Sequence, residues 1–221
     1  MVNRHARDRA VTVEIPPLRL EASVGLPRGR VSGLILFAHG SGSSRFSPRN
    51  TYVASALRQA GLATLLFDLL RESEAEDRAN VFDVALLADR LLAATAWART
   101  SETTRSLPLG YFGASTGAAA ALIAAARLGA QIGAVVSRGG RPDLARDALP
   151  LVTAPTLLIV GGQDTEVLAL NQDALRAMRC EGMIQVVPGA THLFEEPGAL
   201  EVVVGLARGW FLDHLAAHGQ A

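Results

Sequence analysis

The sequence predicts an α/β fold: a mostly parallel, doubly wound sheet with helices on both faces and an antiparallel strand pair at its N-terminal edge. Three observations carry this. Six continuous apolar runs follow residue 31, at 34–38, 63–67, 107–112, 132–137, 156–160 and 184–187. Continuous runs mark strands covered on both faces of a parallel sheet. Helical patterns lie between most of them, and strand and helix in alternation wind a sheet through right-handed crossovers. Two earlier stretches, 11–15 and 18–24, instead alternate apolar and polar residues, as half-buried antiparallel strands do.

The helices follow from local signals. Ser47 followed by Pro48 is an N-cap with Pro at the first helical position, and Gly61 closes that helix, whose inner stripe is Val53, Ala56, Leu57 and Ala60. Residues 81–99 carry Val84, Leu87, Leu91 and Ala94 on one face. The charge-dense stretch 71–78 before them reads as a solvated loop or helix start. Further helices are expected over 118–127, 144–149 (capped by Asp143), 167–178 and from Pro197 onward. In the last, Val203, Ala207, Trp210, Phe211 and Leu215 recur at helical spacing as core residues.

With 221 residues, 49% of them hydrophobic, the chain suits one core, expected over 11–221 behind a flexible polar arm at 1–10. The formal net charge of zero argues against a nucleic-acid or anionic-membrane partner. Every basic side chain is Arg, which reads as composition bias. The one cysteine, Cys180, excludes an internal disulfide and reads as an inert thiol in a reducing compartment. No apolar segment follows the charged N-terminus and no run is long enough to span a bilayer, so a cytoplasmic protein, monomer or homodimer, is expected. No metal-ligand spacing and no cofactor motif is present: Gly40-Ser41-Gly42 lacks the Lys of a Walker loop and the third Gly of a dinucleotide fingerprint.

In open α/β sheets the chemistry gathers beyond the carboxyl ends of the strands. The run at 107–112 leads into Gly113-Ala-Ser-Thr-Gly117, and an Ala-rich helix leads out. A Ser at the apex of a strand-to-helix turn with Gly two residues to either side is a nucleophile elbow. Gly is needed at 113 and 117 because strand and helix approach closely there. Asp164 follows the run at 156–160, and His192 follows the run at 184–187. A serine hydroxyl needs a base, and that base needs a carboxylate to fix its tautomer, so Ser115, His192 and Asp164 form a candidate triad. Asp143 is the reserve acid. Taken singly, Asp164 reads as a helix N-cap and His192 as a core or capping histidine; their joint placement behind two successive strands favours the triad.

Negative charge developing on a carbonyl oxygen calls for two backbone donors. These are assigned to Thr116, after the nucleophile, and to the loop after the first parallel strand, with Ser41 preferred over Gly40 or Gly42. His39 reads as a structural residue tying that loop down. Arg138 and Arg141 flank Gly139-Gly140 at the rim as candidates for gripping a substrate carboxylate; solvated or sheet-end ion-pair roles are the favoured alternative.

Phe37-Ala-His-Gly-Ser-Gly-Ser-Ser44, Gly113-Ala-Ser-Thr-Gly117, Gly161-Gly-Gln-Asp164 and Ala190-Thr-His192 together resemble the dienelactone hydrolase-like branch of the α/β hydrolases, from about residue 18 onward. The resemblance implies an α/β-hydrolase fold, a hydrolytic triad of Ser115, Asp164 and His192, and oxyanion donors at Thr116 and Ser41. Dienelactone hydrolases proper use a Cys nucleophile and a Glu in the first strand loop. Here Ser115 stands in place of the Cys and 40–44 holds no carboxylate, which points to the small microbial carboxylesterases. Relatives of this type are in some cases fused to a phosphoribosyltransferase domain, from which nothing follows for this chain. Only about twenty residues separate Ser137 from the next strand, too few for a lid domain. The expected activity is hydrolysis of small, short-acyl esters at an open, shallow site. A thioesterase, lactonase or acyltransferase on the same triad, or a catalytically idle binding protein, are the alternatives.

Overall fold

Eight strands form one sheet in the order β1-β2-β4-β3-β5-β6-β7-β8, in a computed structural model that describes residues 9–218, with side chains described for 13–216. The strands are β1 Arg9–Ile15, β2 Leu20–Leu26, β3 Gly33–Ala38, β4 Leu62–Phe67, β5 Leu109–Ala114, β6 Ile132–Arg138, β7 Thr156–Gly161 and β8 Gly182–Val187. β1 and β2 are antiparallel to each other, β2 is antiparallel to β4, and β3 to β8 run parallel. Of the polar arm expected at 1–10, residues 1–8 lie outside the described residues, and Arg9 and Ala10 open β1. β2 starts later than its alternation suggested. The chain first turns through a cis Pro16-Pro17 bond and through Arg19 at φ 55°.

β3 to β7 are buried on both faces, which explains their unbroken apolar sequences. On one face Leu34, Leu36, Tyr111 and Leu158 pack under α4 Val84–Thr100, α5 Thr116–Leu128 and α6 Thr165–Ala177. On the other, Ile35, Phe37, Phe112 and Ile159 pack under α1 Pro48–Gln59 and α7 Ala199–His218. β8 departs from this expectation. It is the outer strand, and Met183 and Val186 are exposed.

Two helix assignments change. The buried stripe of α1 is Asn50, Val53, Ala54 and Leu57, rotated from the expected one so that Ala54 replaces Ala56. The helix expected over 81–99 is broken at Asp83, whose carboxylate accepts from the N–H groups of Ala85 and Leu86 and so starts α4 anew. The preceding short helices are α2 Glu72–Ala75 and α3 Arg78–Phe82. Residues 139–155, between β6 and β7, hold only two short 3₁₀ turns and no lid.

The chain leaves β3 for α1 on one face and leaves β5 for α5 on the other. Adjacent parallel strands whose connections diverge open a crevice at their carboxyl ends. The loop after β3 and Ser115 face each other across it.

Candidate active site

Ser115 sits at φ 50°, ψ −122°, a left-handed conformation that costs a non-glycine residue about 1–3 kcal/mol. Three backbone hydrogen bonds hold it there. Its N–H donates to Arg138 O at 3.2 Å, and its carbonyl accepts from Ala118 N and Arg141 N, each at 3.1 Å. Its hydroxyl does not cap α5. The flanking glycines have distinct reasons. A Cβ on Gly113 would lie 2.4 Å from Ala118 Cα, the strand–helix contact expected from the sequence. A Cβ on Gly117 would instead lie 2.2 Å from Ala38 O and 2.4 Å from His39 O, so Gly117 is what lets α5 abut the end of β3.

His192 Nε2 stands 3.4 Å from Ser115 Oγ, and His192 Nδ1–H donates to Asp164 Oδ2 at 2.7 Å. A carboxylate only accepts, so this bond fixes the proton on Nδ1 and turns the Nε2 lone pair toward the serine. The 3.4 Å spacing is looser than a formed hydrogen bond, as is common before substrate binds. Asp164 occupies the N-cap position of α6 without capping it with its side chain. The acid and histidine loops are stitched together: Gly162 N donates to Val187 O and Gln163 N to Ala190 O, each at 2.9 Å. Gly161 permits this, because a Cβ there would lie 2.5 Å from the carbonyls of Ala190 and Thr191.

Asp143 is not part of this set. Its carboxylate takes Arg141 Nε and Nη2 at 2.8 and 2.7 Å. It therefore neither caps the segment after it, as the sequence suggested, nor stands in reserve. The same pairing gives Arg141 the ion-pair role that the sequence reading favoured over a substrate grip. Asp143 engages its guanidinium and raises its pKa, and only its N–H serves the elbow.

The Thr116 N–H opens α5, where no carbonyl one turn earlier can receive it. The Ser41 N–H, expected as the second donor, is engaged: it donates to Thr116 Oγ1 at 3.0 Å. Gly40 lies under Ser115, its would-be Cβ 3.0 Å from Ser115 Cβ, whereas Gly42, at φ 69°, faces open space. His39 ties the loop down as expected. Its Nε2 accepts from Leu69 N at 3.1 Å and its Nδ1–H donates to Gly40 O at 3.0 Å. Burial lowers its pKa against the opposing pull of the Gly40 carbonyl and Asp68. Arg45 anchors the far end of the loop, its N–H on Asp68 Oδ1 at 2.7 Å and its guanidinium on Asp68 and Glu21.

Several residues were missed by sequence reasoning. Glu196 accepts from Thr191 N at 3.1 Å and Thr191 Oγ1 at 2.6 Å, which closes the turn carrying His192; the Thr191 hydroxyl bond lowers its pKa. Asn171, fully buried in α6, donates to Gly140 O at 3.0 Å. Arg49, the second residue of α1, pairs with Glu195 at 2.6 Å and joins α1 to the histidine loop. A Thr–Glu pair around a His turn is a readable signal; the other two depend on tertiary placement.

The cleft at Ser115 has a volume of about 200 Å³ and is lined by Ser43, Ser47, Arg49, Arg138 and His192 beside the nucleophile. Arg138, read as a rim residue, is buried: 7% of it is exposed. A second cavity of about 870 Å³ shares Gly40, Ser41 and Ser43 with the cleft and extends toward Leu69, Leu70 and Phe82. Among the described residues no group of His, Cys, Asp and Glu is arranged to hold a metal ion, and no helix is long and apolar enough to cross a membrane.

A model described as the dienelactone hydrolase family matches residues 23–206. A Mycobacterium tuberculosis protein, whose name of phosphoribosyl transferase is provisional, is 57% identical over 213 residues, 96% of this chain and 48% of that protein. The chain thus spans about half the length of that relative. Among solved structures, a dienelactone hydrolase from Anabaena variabilis is 53% identical with a TM-score of 0.89, covering 94% of this chain and 98% of that one. A lidless α/β serine hydrolase from Xanthomonas campestris is 23% identical with a TM-score of 0.70, covering 96% and 94%, a likeness of fold alone. With a family model over most of its length and a solved relative sharing more than half of its residues, the chain belongs to the dienelactone hydrolase family.

Proposed function

We propose that the protein is a serine carboxylesterase that cleaves small, short-acyl esters through an acyl-enzyme. Ser115 is the nucleophile, His192 the base that takes its proton and then activates water, and Asp164 the acid that orients the imidazole. The observation that carries this is the alignment of Asp164, His192 and Ser115, with His192 Nδ1 2.7 Å from Asp164 Oδ2 and Nε2 3.4 Å from Ser115 Oγ. The oxyanion is received by the N–H groups of Thr116 and Ser41. Thr116 Oγ1 holds the Ser41 N–H toward the elbow until an oxyanion, a stronger acceptor than a hydroxyl, takes that donor over. The cleft of about 200 Å³ supports a small acyl group, and the adjoining larger cavity gives the alcohol part a place.

Ser115→Ala tests the reading on p-nitrophenyl acetate. The variant should keep only the small residual rate that binding and the oxyanion donors provide, and retention of most activity would remove Ser115 from the chemistry. A lactone, an internal ester, is the second reading, favoured by the family itself and by the 53% identical Anabaena variabilis relative. Rates on matched open-chain esters and lactones separate the two.

A further inference from the structure

Hydrolysis by Ser115, His192 and Asp164 leaves Arg138 unexplained. It ends β6 beside the elbow, on the face that packs α1. Its Nη2 donates to Asn50 Oδ1 at 3.4 Å, and its Nε and Nη1 are buried with no acceptor. The carboxylates of the acid and histidine loops have partners of their own: Asp164 has His192, Glu195 has Arg49 and Glu196 has Thr191. What faces Arg138 from α1 is a second cation, Arg49. Burial, with the Arg49 charge added, pulls the Arg138 guanidinium down to about 10, which leaves it charged at neutral pH. A buried charge without a counter-charge is expensive, so a cleft that keeps one is suited to an incoming anion.

The surroundings suit a particular anion. Ser47 caps α1, Pro48 has no N–H, and the Asn50 N–H is given to Ser47 Oγ, so the open donor of the first turn is the Arg49 N–H. This N-terminus, the positive end of a 12-residue helix, meets the same cleft. The hydroxyls of Ser43 and Ser47 line it as well. A carboxylate brings two oxygens and one charge. The unpaired Arg138 guanidinium, the Arg49 guanidinium beside it (paired with Glu195 through Nη1 but with its Nε buried and without an acceptor), Ser43, Ser47 and a helix N-terminus offer donors enough for the three oxygens of a phosphate. We propose that the cleft seats the phosphate group of a phosphorylated ester on Arg138, Arg49 and the N-terminus of α1, with the ester carbonyl at Ser115. The phosphate seat stands on these residues alone; the carbonyl at Ser115 rests on the esterase reading.

The test uses the full chain carrying Ser115→Ala, so that binding is read without turnover. Inorganic phosphate, acetate and succinate are titrated by calorimetry, and melting temperatures are taken with and without phosphate. One phosphate should bind saturably, with acetate and succinate at least tenfold weaker. Adding Arg138→Met should weaken phosphate at least tenfold and abolish its effect on melting. Arg138→Met removes an unpaired buried charge, so it should fold and melt at or above its parent in phosphate-free buffer. Arg49→Gln, at a partly exposed position, should weaken phosphate independently. The proposal is overturned if the parent shows no saturable phosphate binding, if both Arg variants bind phosphate as the parent does, or if succinate binds more tightly. Phosphate held through Arg138 in a protein whose Ser115 form shows no esterase activity would sink the esterase reading and leave the phosphate seat in place.

Discussion

Gly117→Ala probes how closely the loop after β3, proposed to supply an oxyanion donor, must approach the elbow. The added Cβ would fall 2.2 Å from Ala38 O and 2.4 Å from His39 O. Both atoms are backbone, so neither can rotate aside. Reaching even a tight contact of 3.0 Å requires the end of β3 and the start of α5 to separate by about 0.8 Å. Overpacking of this kind costs about 1–3 kcal/mol, and a chain of this size loses about 2–4 °C of melting temperature per kcal/mol. The same separation moves the Ser41 N–H away from the Thr116 N–H. A misplacement near 1 Å lowers catalysis about 10²-fold. The assay is kcat on p-nitrophenyl acetate beside thermal melting, with Gly205→Ala as control. Gly205 is exposed in α7 and its Cβ would meet nothing within 4 Å. That change should stabilise by up to about 1 kcal/mol and leave kcat alone. A Gly117→Ala protein that melts and turns over like its parent would refute the argument that this contact positions the donors.

Asp164→Asn should preserve the fold and lower kcat by about 10³–10⁴-fold, because the imidazole loses its oriented tautomer; a change of less than tenfold would reassign the acid. Arg141→Met should change kcat/KM by less than about twofold and stability by at most about 1 kcal/mol, since its guanidinium serves Asp143 and the elbow uses only its N–H. The lowered pKa of half-buried His39 makes stability depend on pH. The unfolded chain takes up a proton below about 6.5 more readily than the folded ring, whose pKa is lowered, so this contribution is present above that pH and is lost as pH falls below it. Melting from pH 7 to pH 5 should therefore fall less in His39→Asn than in the parent, and equal slopes would show that the His39 ring is not the cause.

The parallel strands were legible because burial on both faces writes itself into sequence as unbroken apolar runs. The same logic erred at β8, since a short apolar run does not say whether a further strand covers its outer edge. The break at Asp83 was hidden inside a continuous helical pattern and depended on a single capping carboxylate. At the site, the meeting of Ser115, Asp164 and His192 could be anticipated because each stands in the turn that follows a parallel strand, and parallel strands bring their carboxyl ends to one rim. Arg138 ends its strand at the same rim, yet nothing local says which way its side chain turns. Its burial follows from pairing with β5 and from packing against Asn50 of α1. The Ser41 to Thr116 Oγ1 bond was beyond reach for a similar reason: it joins residues 75 apart through the packing of α5 on β3. The need for Gly at 117 was read correctly, but its contact lies with β3 rather than with its own strand.

The most direct test asks where the acyl group goes. The protein is mixed with p-nitrophenyl acetate, quenched in acid within the first turnover, digested and analysed by mass spectrometry. One acetyl group should appear on the peptide containing Ser115, and none should appear in Ser115→Ala treated alike. An acetyl group on another side chain, or rapid turnover with Ser115 never modified, would contradict the account.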